Sequence, residues 1–413
     1  MTGVLSLTMW KSYFFAAAAL SPLVWASPRS NLKGMKWANT SSPLRYEKDG
    51  TFKLSIFEDL HFGEGQNNPP EVVWGPRYDR KTITVLNTLL DVEKPNLVVL
   101  NGDLITGENT YLHNSTTYLD QVVGPLVQRQ IPWAATYGNH DREYNLSPTK
   151  LLMREKKLYP NLSLTKSMVS DPDAGTTNYV LPIYSSDPTD PVPATLLYFF
   201  DSRGGHEFQR ISPTTNKTIP VPDFVHPSVV SWFNKQKSLF HTRYRRHIPS
   251  LAFVHIPIYA MNAFQTRPGG VDKNREPGIN DDYPLAPQST ENDEYTARDI
   301  PFMRALASTP SLKAVFSGHD HGNDWCAKWD STLPGMNVSG PAQGLFMCFG
   351  RRTGYGGYGI WARGSRQIFL HEKMVESEIE TWVRLEDEAI SGHVVLNATY
   401  GGDLYPVANN KTT

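Results

Sequence analysis

Trp133-Ala134-Ala135-Thr136-Tyr137-Gly138-Asn139-His140-Asp141 is the stretch on which the fold turns. Its first five residues form a short apolar run that reads as a buried strand, and polar side chains follow where strand gives way to loop. In open α/β sheets that junction, at the carboxyl end of a strand, is where ligands bind. Taken alone, Gly-Asn is ordinary turn chemistry, and a histidine beside it could simply hydrogen-bond the loop. The same junction, however, recurs along the chain.

Toward the N-terminus, Phe52, Leu54 and Ile56 alternate with Lys53 and Ser55 in the two-residue period of a strand that ends at Glu58-Asp59-Leu60-His61. Residues i and i+2 of an extended segment point to one side, so Asp59 and His61 can converge on one cation; a surface ion pair is the plainer alternative. Ile83, Leu86, Leu89 and Leu90 share one helical face, stopped by Pro95. Asn96 to Leu100 then forms a continuous apolar run, as in a parallel strand covered on both faces, and it leads into Asn101-Gly102-Asp103. Tyr118 to Leu126 reads as a crossover helix that Gly124-Pro125 should kink or end.

Toward the C-terminus, residues 170–193 are rich in Asp, Pro and Thr and read as a surface excursion. Thr195 to Phe200 is a strand ending at Asp201, and Val229 to Phe233 marks a helix. Leu251 to Val254 is a strand ending at His255, followed by a polar rim from about Asn262 to Arg298, a length usual for functional or disordered loops. Lys313 to Phe316 leads into Gly318-His319-Asp320-His321, a second pair at i and i+2. Short strand-like runs between Leu345 and Leu396 then predict a second, antiparallel sheet.

Composition sets the outer limits. With 413 residues, 39% hydrophobic and 20% charged, the chain can bury a large core. Forty Lys and Arg against 41 Asp and Glu leave no global field for nucleic acid or an anionic membrane, so no nucleic-acid partner is expected. Lys11, the apolar run from Tyr13 to Leu20 and Val24-Trp25-Ala26 read as a signal peptide over residues 1–26. The alternative is a membrane anchor, but the run is shorter than the roughly 20 residues a span needs, so no span is expected after cleavage. A linker is expected over 27–50, one domain over 51–400 and a tail over 401–413. Eight Asn-x-Ser/Thr sequons, at Asn39, Asn114, Asn145, Asn161, Asn216, Asn337, Asn397 and Asn410, predict N-glycans, with Asn145 weakened by Pro148. Cys326 and Cys348 predict one disulfide, the alternative being two buried thiols, and absence of a Cys-x-x-Cys argues against a thiolate zinc site.

Five of twelve histidines, His61, His140, His255, His319 and His321, lie at strand ends with Asp59, Asp103 and Asn139. Any one could be structural, but core filling would scatter them. Imidazoles, carboxylates and one amide oxygen suit Mn, Fe or Zn, whereas an all-oxygen shell would suit Mg or Ca. Seven donors are too many for one catalytic ion with an open position, so two divalent ions are expected, with Asp103 the natural bridge.

In order and spacing these blocks resemble the calcineurin-like metallophosphoesterase superfamily: Asp59-x-His61, Gly102-Asp103, Gly138-Asn139-His140-Asp141, His255 and Gly318-His319-x-His321. Ile131 to Ala135, Gly318 to Asp324 and Cys348 to Tyr358 are similar to the secreted fungal and plant branch related to the yeast dosage-dependent cell-cycle regulator phosphatase and small purple-acid-phosphatase-like proteins. The resemblance implies a four-layer α/β/β/α sandwich and hydrolysis of phosphate esters by a hydroxide shared between two ions. It implies Asp59, His61, Asp103 and His321 at one ion, and Asp103, Asn139, His255 and His319 at the other. His140 is left to stabilise the phosphoryl group or protonate the leaving oxygen, with Asp141 either orienting it or supporting the loop. Purple acid phosphatases place a Tyr three residues after the bridging Asp and commonly a Gly where His61 stands; Thr106 occupies the first position here, so no ferric chromophore is expected. Arg142, Arg203, Arg351 and Arg352 are candidates for phosphate contacts or plain surface charges, and Gly354 to Tyr358 for rim or turn. The expected activity is a secreted or vacuolar phosphomonoesterase acting on a small molecule or phosphoprotein. The alternatives are a phosphodiesterase on nucleotides or lipids and a catalytically silent extracellular metal-binding protein.

Overall fold

The computed structural model describes residues 43–65, 74–329 and 344–408. The expected signal peptide and the sequons at Asn39, Asn337 and Asn410 lie outside these residues.

The chain opens with three parallel strands, β1 (Thr51–Phe57), β2 (Leu97–Asn101) and β3 (Trp133–Thr136). Helices α1 (Trp74–Glu93) and α2 (Tyr118–Arg129) make the crossovers, and α3 (Pro148–Leu158) follows β3. A second set of strands comes from the middle of the chain: β4 (Tyr179–Tyr184), β5 (Pro193–Phe200), β6 (Ser250–Val254), β7 (Leu312–Ser317), β8 (Cys326–Lys328) and β9 (Phe346–Phe349). Between them run α4 (Pro227–Tyr244), α5 (Tyr259–Thr266) and α6 (Ile300–Ala307). The last strands are β10 (Gly364–His371), β11 (Ile379–Leu385) and β12 (Ile390–Leu396). One six-stranded sheet has the order β12-β11-β10-β1-β2-β3, the other β8-β9-β7-β6-β5-β4.

Alternation within strands explains the layering. Leu54, Ile56, Leu97 and Val99 of the first sheet face Leu197, Phe199, Phe253 and Phe316 of the second in one buried cluster. Their sequence neighbours Phe57, Val98 and Leu100 point the other way, onto Leu86, Leu89, Leu119 and Val122 of α1 and α2. On the far side, Tyr198, Phe200, Ala252 and Val254 pack against Phe233 of α4, Met261 of α5 and Phe302 of α6. Two sheets face to face with helices outside are the expected four-layer sandwich. Each fully buried large apolar side chain contributes about 1.5–3 kcal/mol to holding the layers together.

Several local expectations are revised. The C-terminal strands do not build a second sheet: β10 pairs antiparallel with β1, and β11 and β12 extend the first sheet as a meander, while Phe346–Phe349 lies parallel to β7 in the other. α2 continues through Pro125 to a left-handed Gln130, because the buried face of Leu119, Val122, Val123 and Leu126 holds it against the sheet. The stretch 170–193 contains an edge strand in which Tyr179 stacks on Phe199 at 4.5 Å. Within the stretch expected to be linker, Tyr46 is buried and its hydroxyl lies 2.7 Å from Thr195 Oγ1. From the expected tail, Tyr405 donates its amide to Asn274 O at 2.7 Å. Cys326 and Cys348 form a disulfide between directly paired positions of β8 and β9.

Candidate metal centre

Five parallel strands deliver the site from one edge. β1 ends at Asp59 and His61, β2 at Asp103, β3 at Asn139 and His140, β6 at His255, and β7 at His319 and His321. Asp59, His61, Asp103 and His319 carry φ of +52°, +49°, +50° and +75°. Non-glycine residues in this left-handed region cost on the order of 1–3 kcal/mol each, and such strain clusters at functional sites. Gly138 is required for a different reason. A Cβ there would stand 2.2 Å from Asp103 Oδ1 and 2.7 Å from His255 Cδ2.

The side chains form two groups. One donor atom from each of Asp59, His61 and His321 lies within 4.8 Å of the others, and the same holds for Asp103, His255 and His319. The groups touch. Asp103 Oδ2 is 2.9 Å from His255 Nε2 and 3.8 Å from His61 Nε2, so the carboxylate stands between them. Asp59 Oδ1 is 3.5 Å from His321 Nε2 and 3.9 Å from His255 Nε2.

Partners behind the rings set which nitrogen faces inward. His321 Nδ1 donates to Tyr358 O at 3.0 Å and His255 Nδ1 to Asn101 O at 2.8 Å, leaving each Nε2 lone pair toward the centre. His61 Nδ1 is 3.1 Å from Thr106 Oγ1, and its Nε2 faces His321 Nε2 at 3.2 Å. Two lone pairs at that distance repel unless a proton or cation lies between them. Asn139 Oδ1 is buried without a hydrogen-bond partner among the described residues, and His255 Nε2 has only the Asp103 carboxylate within hydrogen-bond distance, at 2.9 Å. An unpaired buried acceptor costs about 1–3 kcal/mol, and a cation removes that cost for several acceptors at once. The donor set therefore fits divalent metal.

Burial, reinforced by neighbouring His140, holds His61 well below the ordinary histidine range, and burial with His255 lowers His319 to about 4. Both rings are thus neutral, as ligands must be. For His140 burial also works against charge, but Asp103 and Glu108 outweigh it and raise the ring to about 10. His140 Nδ1 stands 2.6 Å from Glu108 Oε1, while its backbone amide donates to Asp103 Oδ1 at 2.9 Å.

Sequence and fold comparisons meet at this edge. Residues 59–323 match the calcineurin-like phosphoesterase family, a span that holds every residue of both groups. The chain belongs to that family. It is 32% identical over 351 residues to the phosphatase DCR2 of Saccharomyces cerevisiae, covering 83% of this chain and 55% of the yeast protein. This phosphoesterase-family chain thus spans little more than half of that relative. It is 28% identical over 375 residues to an Arabidopsis thaliana protein named "Probable inactive purple acid phosphatase 28", covering 84% of each. A dimetal phosphatase of Danio rerio shares the fold, with a TM-score of 0.50 and 14% identity over 84% of this chain and 99% of that one.

The other sites foreseen in the sequence fall differently within this phosphoesterase fold. Asp141, expected beside His140 as catalytic, accepts hydrogen bonds from the amides of Gly138, Leu104 and Ile105 at 2.9, 3.0 and 3.0 Å. It clamps the loops after β2 and β3 to each other, which is the loop-supporting alternative. Arg351 pairs with buried Asp324 at 2.8 Å and Arg352 donates to Gly359 O at 3.0 Å, so both brace loops. Arg203 donates to Phe224 O at 2.9 Å, and Arg142 lies 3.5 Å from Asp201. Gly354 to Tyr358 belongs to the site's wall. A Cβ on Gly357 would stand 2.6 Å from His321 Cε1. Glu108 and the stacking of Tyr358 on His321 at 4.1 Å were missed. Glu108 sits in the polar segment between β2 and α2, where no pattern separates a functional carboxylate from a solvated one.

Proposed function

We propose that this chain is a phosphomonoesterase that uses two divalent ions, Mn, Fe or Zn. Asp59, His61, Asp103 and His321 would hold one, and Asp103, Asn139, His255 and His319 the other. The observation that carries this reading is Asp103 Oδ2 standing between His61 and His255, one from each group, with the amide oxygen of Asn139 buried beside them without a hydrogen-bond partner. When bound, the ions supply Lewis acidity and an acidified water at neutral pH. The protein's own part is positional. His140, charged by Asp103 and Glu108 and about one-third exposed, presents its ring at the open side of the centre. There it can contact a phosphoryl oxygen or give a proton to the leaving oxygen. Glu108 orients that ring from the far nitrogen. With Arg351 and Arg352 committed to loops, phosphate recognition falls to the ions and His140.

The secretory reading accompanies the enzymatic one. It is supported by the N-terminal apolar run, by the Cys326–Cys348 disulfide, and by exposed sequons at Asn161 and Asn216. The amide of Asn145 is engaged with Thr110 O at 2.9 Å, which argues against a glycan there.

The test is hydrolysis of an aryl phosphate monoester beside its diester by protein whose metal content has been measured, with His140→Ala and Glu108→Gln as variants. Monoester turnover that falls about 10²–10⁴-fold in His140→Ala, and less in Glu108→Gln, at unchanged metal content is expected. A wild-type protein holding two ions with no turnover of either ester would support the silent metal-binding alternative, as the name of the plant relative foreshadows.

A further inference from the structure

A cleft of about 450 Å³ opens directly beside the metal centre, with Asn139 and His319 forming its inner wall. Its floor is aliphatic, from Val221, Pro222 and Ile256, and its polar lining is acidic: Glu143, Asp223 and Glu291, with His206. No lysine, arginine, phenylalanine, tyrosine or tryptophan is among these lining residues, whose only rings besides proline are the imidazoles of His206 and His319. Two of the carboxylates have partners. His206 Nδ1 is 2.8 Å from Glu143 Oε2, and Arg298 reaches Glu291 from outside the lining at 2.5 Å. Asp223 accepts the amide of Ser289 at 3.2 Å, and the compensating charge acting on it, Arg203, lies outside the lining.

Resting on the phosphomonoesterase reading above, we infer that this cleft is the leaving-group subsite and selects aliphatic alcohols bearing an amine or hydroxyl groups over anionic or aromatic ones. A phosphoryl group held at the metal centre would project its ester oxygen past Asn139 and His319 into the cleft. A second phosphate or carboxylate there would meet Asp223, Glu143 and Glu291, with Arg298 and His206 already engaged by Glu291 and Glu143, a like-charge contact that is costly where water is partly excluded. A nucleobase would find no phenyl, phenol or indole ring to stack on, and the His206 imidazole is held by Glu143. An ammonium would instead gain carboxylate partners, while its methylenes lie on Val221, Pro222 and Ile256. Polar groups that reject the wrong partner, as well as favour the right one, are how such pockets discriminate.

Two measurements separate this inference from the reading it rests on. The first compares kcat/KM for O-phosphoethanolamine and glycerol phosphate with that for phosphoglycolate and a nucleoside monophosphate. The second measures, by calorimetry on metal-loaded protein, binding of 2-aminoethylphosphonate against phosphonoacetate, which carry an amine and a carboxylate on chains of similar length. The amine and polyol esters are expected to be at least tenfold better substrates, and the aminophosphonate at least tenfold tighter. Glu291→Lys should reduce both ratios at least fivefold. Preference for the anionic or aromatic esters, or equal or absent binding of the two phosphonates, overturns the inference. Selective phosphonate binding without hydrolysis of any ester keeps the subsite and overturns only the phosphomonoesterase reading.

Discussion

At the scale of single residues, the side chains that matter are those whose surroundings oppose their chemistry. Asp299 illustrates the principle away from the metal centre. It is fully buried, accepts the Tyr259 amide at 2.9 Å and the Tyr295 hydroxyl at 2.6 Å, and so ties the start of α5 to the start of α6. Burial, only partly offset by those two donors, raises its pKa to about 6 from an ordinary 3.8. The folded protein therefore holds this proton more tightly than the unfolded chain. The resulting stability is present in full below about pH 4 and is lost as pH rises through about 6. An asparagine side chain at this position cannot ionise, so Asp299→Asn should gain on wild type between pH 4 and 6, on the order of 3 kcal/mol, and run parallel to it above pH 7. Urea unfolding of the metal-free proteins across that range measures the difference; a constant offset at every pH would sink the assignment. The candidate ligands at the strand ends were visible at this scale because Asp-x-His and Gly-His-x-His place like chemistry on one side of an extended chain. Asp141 and Glu108 were not, since a carboxylate's role depends on whether three amides or one imidazole face it.

At the scale of elements, the parallel strands act as rods that carry the candidate ligands to one edge, and the loops behind them aim the rings. Tyr358, in the glycine-rich segment between β9 and β10, grips His321 in three ways: a ring stack at 4.1 Å, a carbonyl on Nδ1 at 3.0 Å, and a hydroxyl accepting the His321 amide at 3.1 Å. That hydroxyl in turn donates to Asp282 Oδ2 at 2.6 Å, which anchors it to the long rim after His255. Outer partners of this kind typically change metal affinity 10–100-fold. Tyr358→Ala should weaken binding at one ion by at least tenfold. Tyr358→Phe, which keeps stack and carbonyl, should lose much less. Competition against a chelating dye reads both, and equal affinities in wild type and Tyr358→Ala would remove the positioning role. Periodicity gave good notice of the parallel strands and crossover helices. It misassigned the C-terminal strands, because alternation reveals that a run is a strand but not which edge its backbone will pair with.

At the scale of the whole molecule, three separate buried layers hold the sandwich: one between the sheets and one beneath each set of helices. None of them contains the candidate ligands, which lie on the strained strand-end edge. Each ion present at a hundredfold excess over its Kd adds about 2.7 kcal/mol by mass action, so chelation should lower Tm markedly while leaving the far-ultraviolet circular dichroism unchanged. An unchanged Tm after verified removal of both ions would contradict a built metal site. By itself the sequence determined the order of the parallel strands and crossover helices, the candidate ligand types and the family, since these follow from side-chain period, strand-end chemistry and motif spacing. Only the tertiary structure decided that the C-terminal strands join the first sheet, that Asp141 clamps loops while Glu108 meets His140, and that a cleft lined by carboxylates adjoins Asn139 and His319. Those outcomes depend on contacts between residues tens to hundreds of positions apart, which local patterning does not encode.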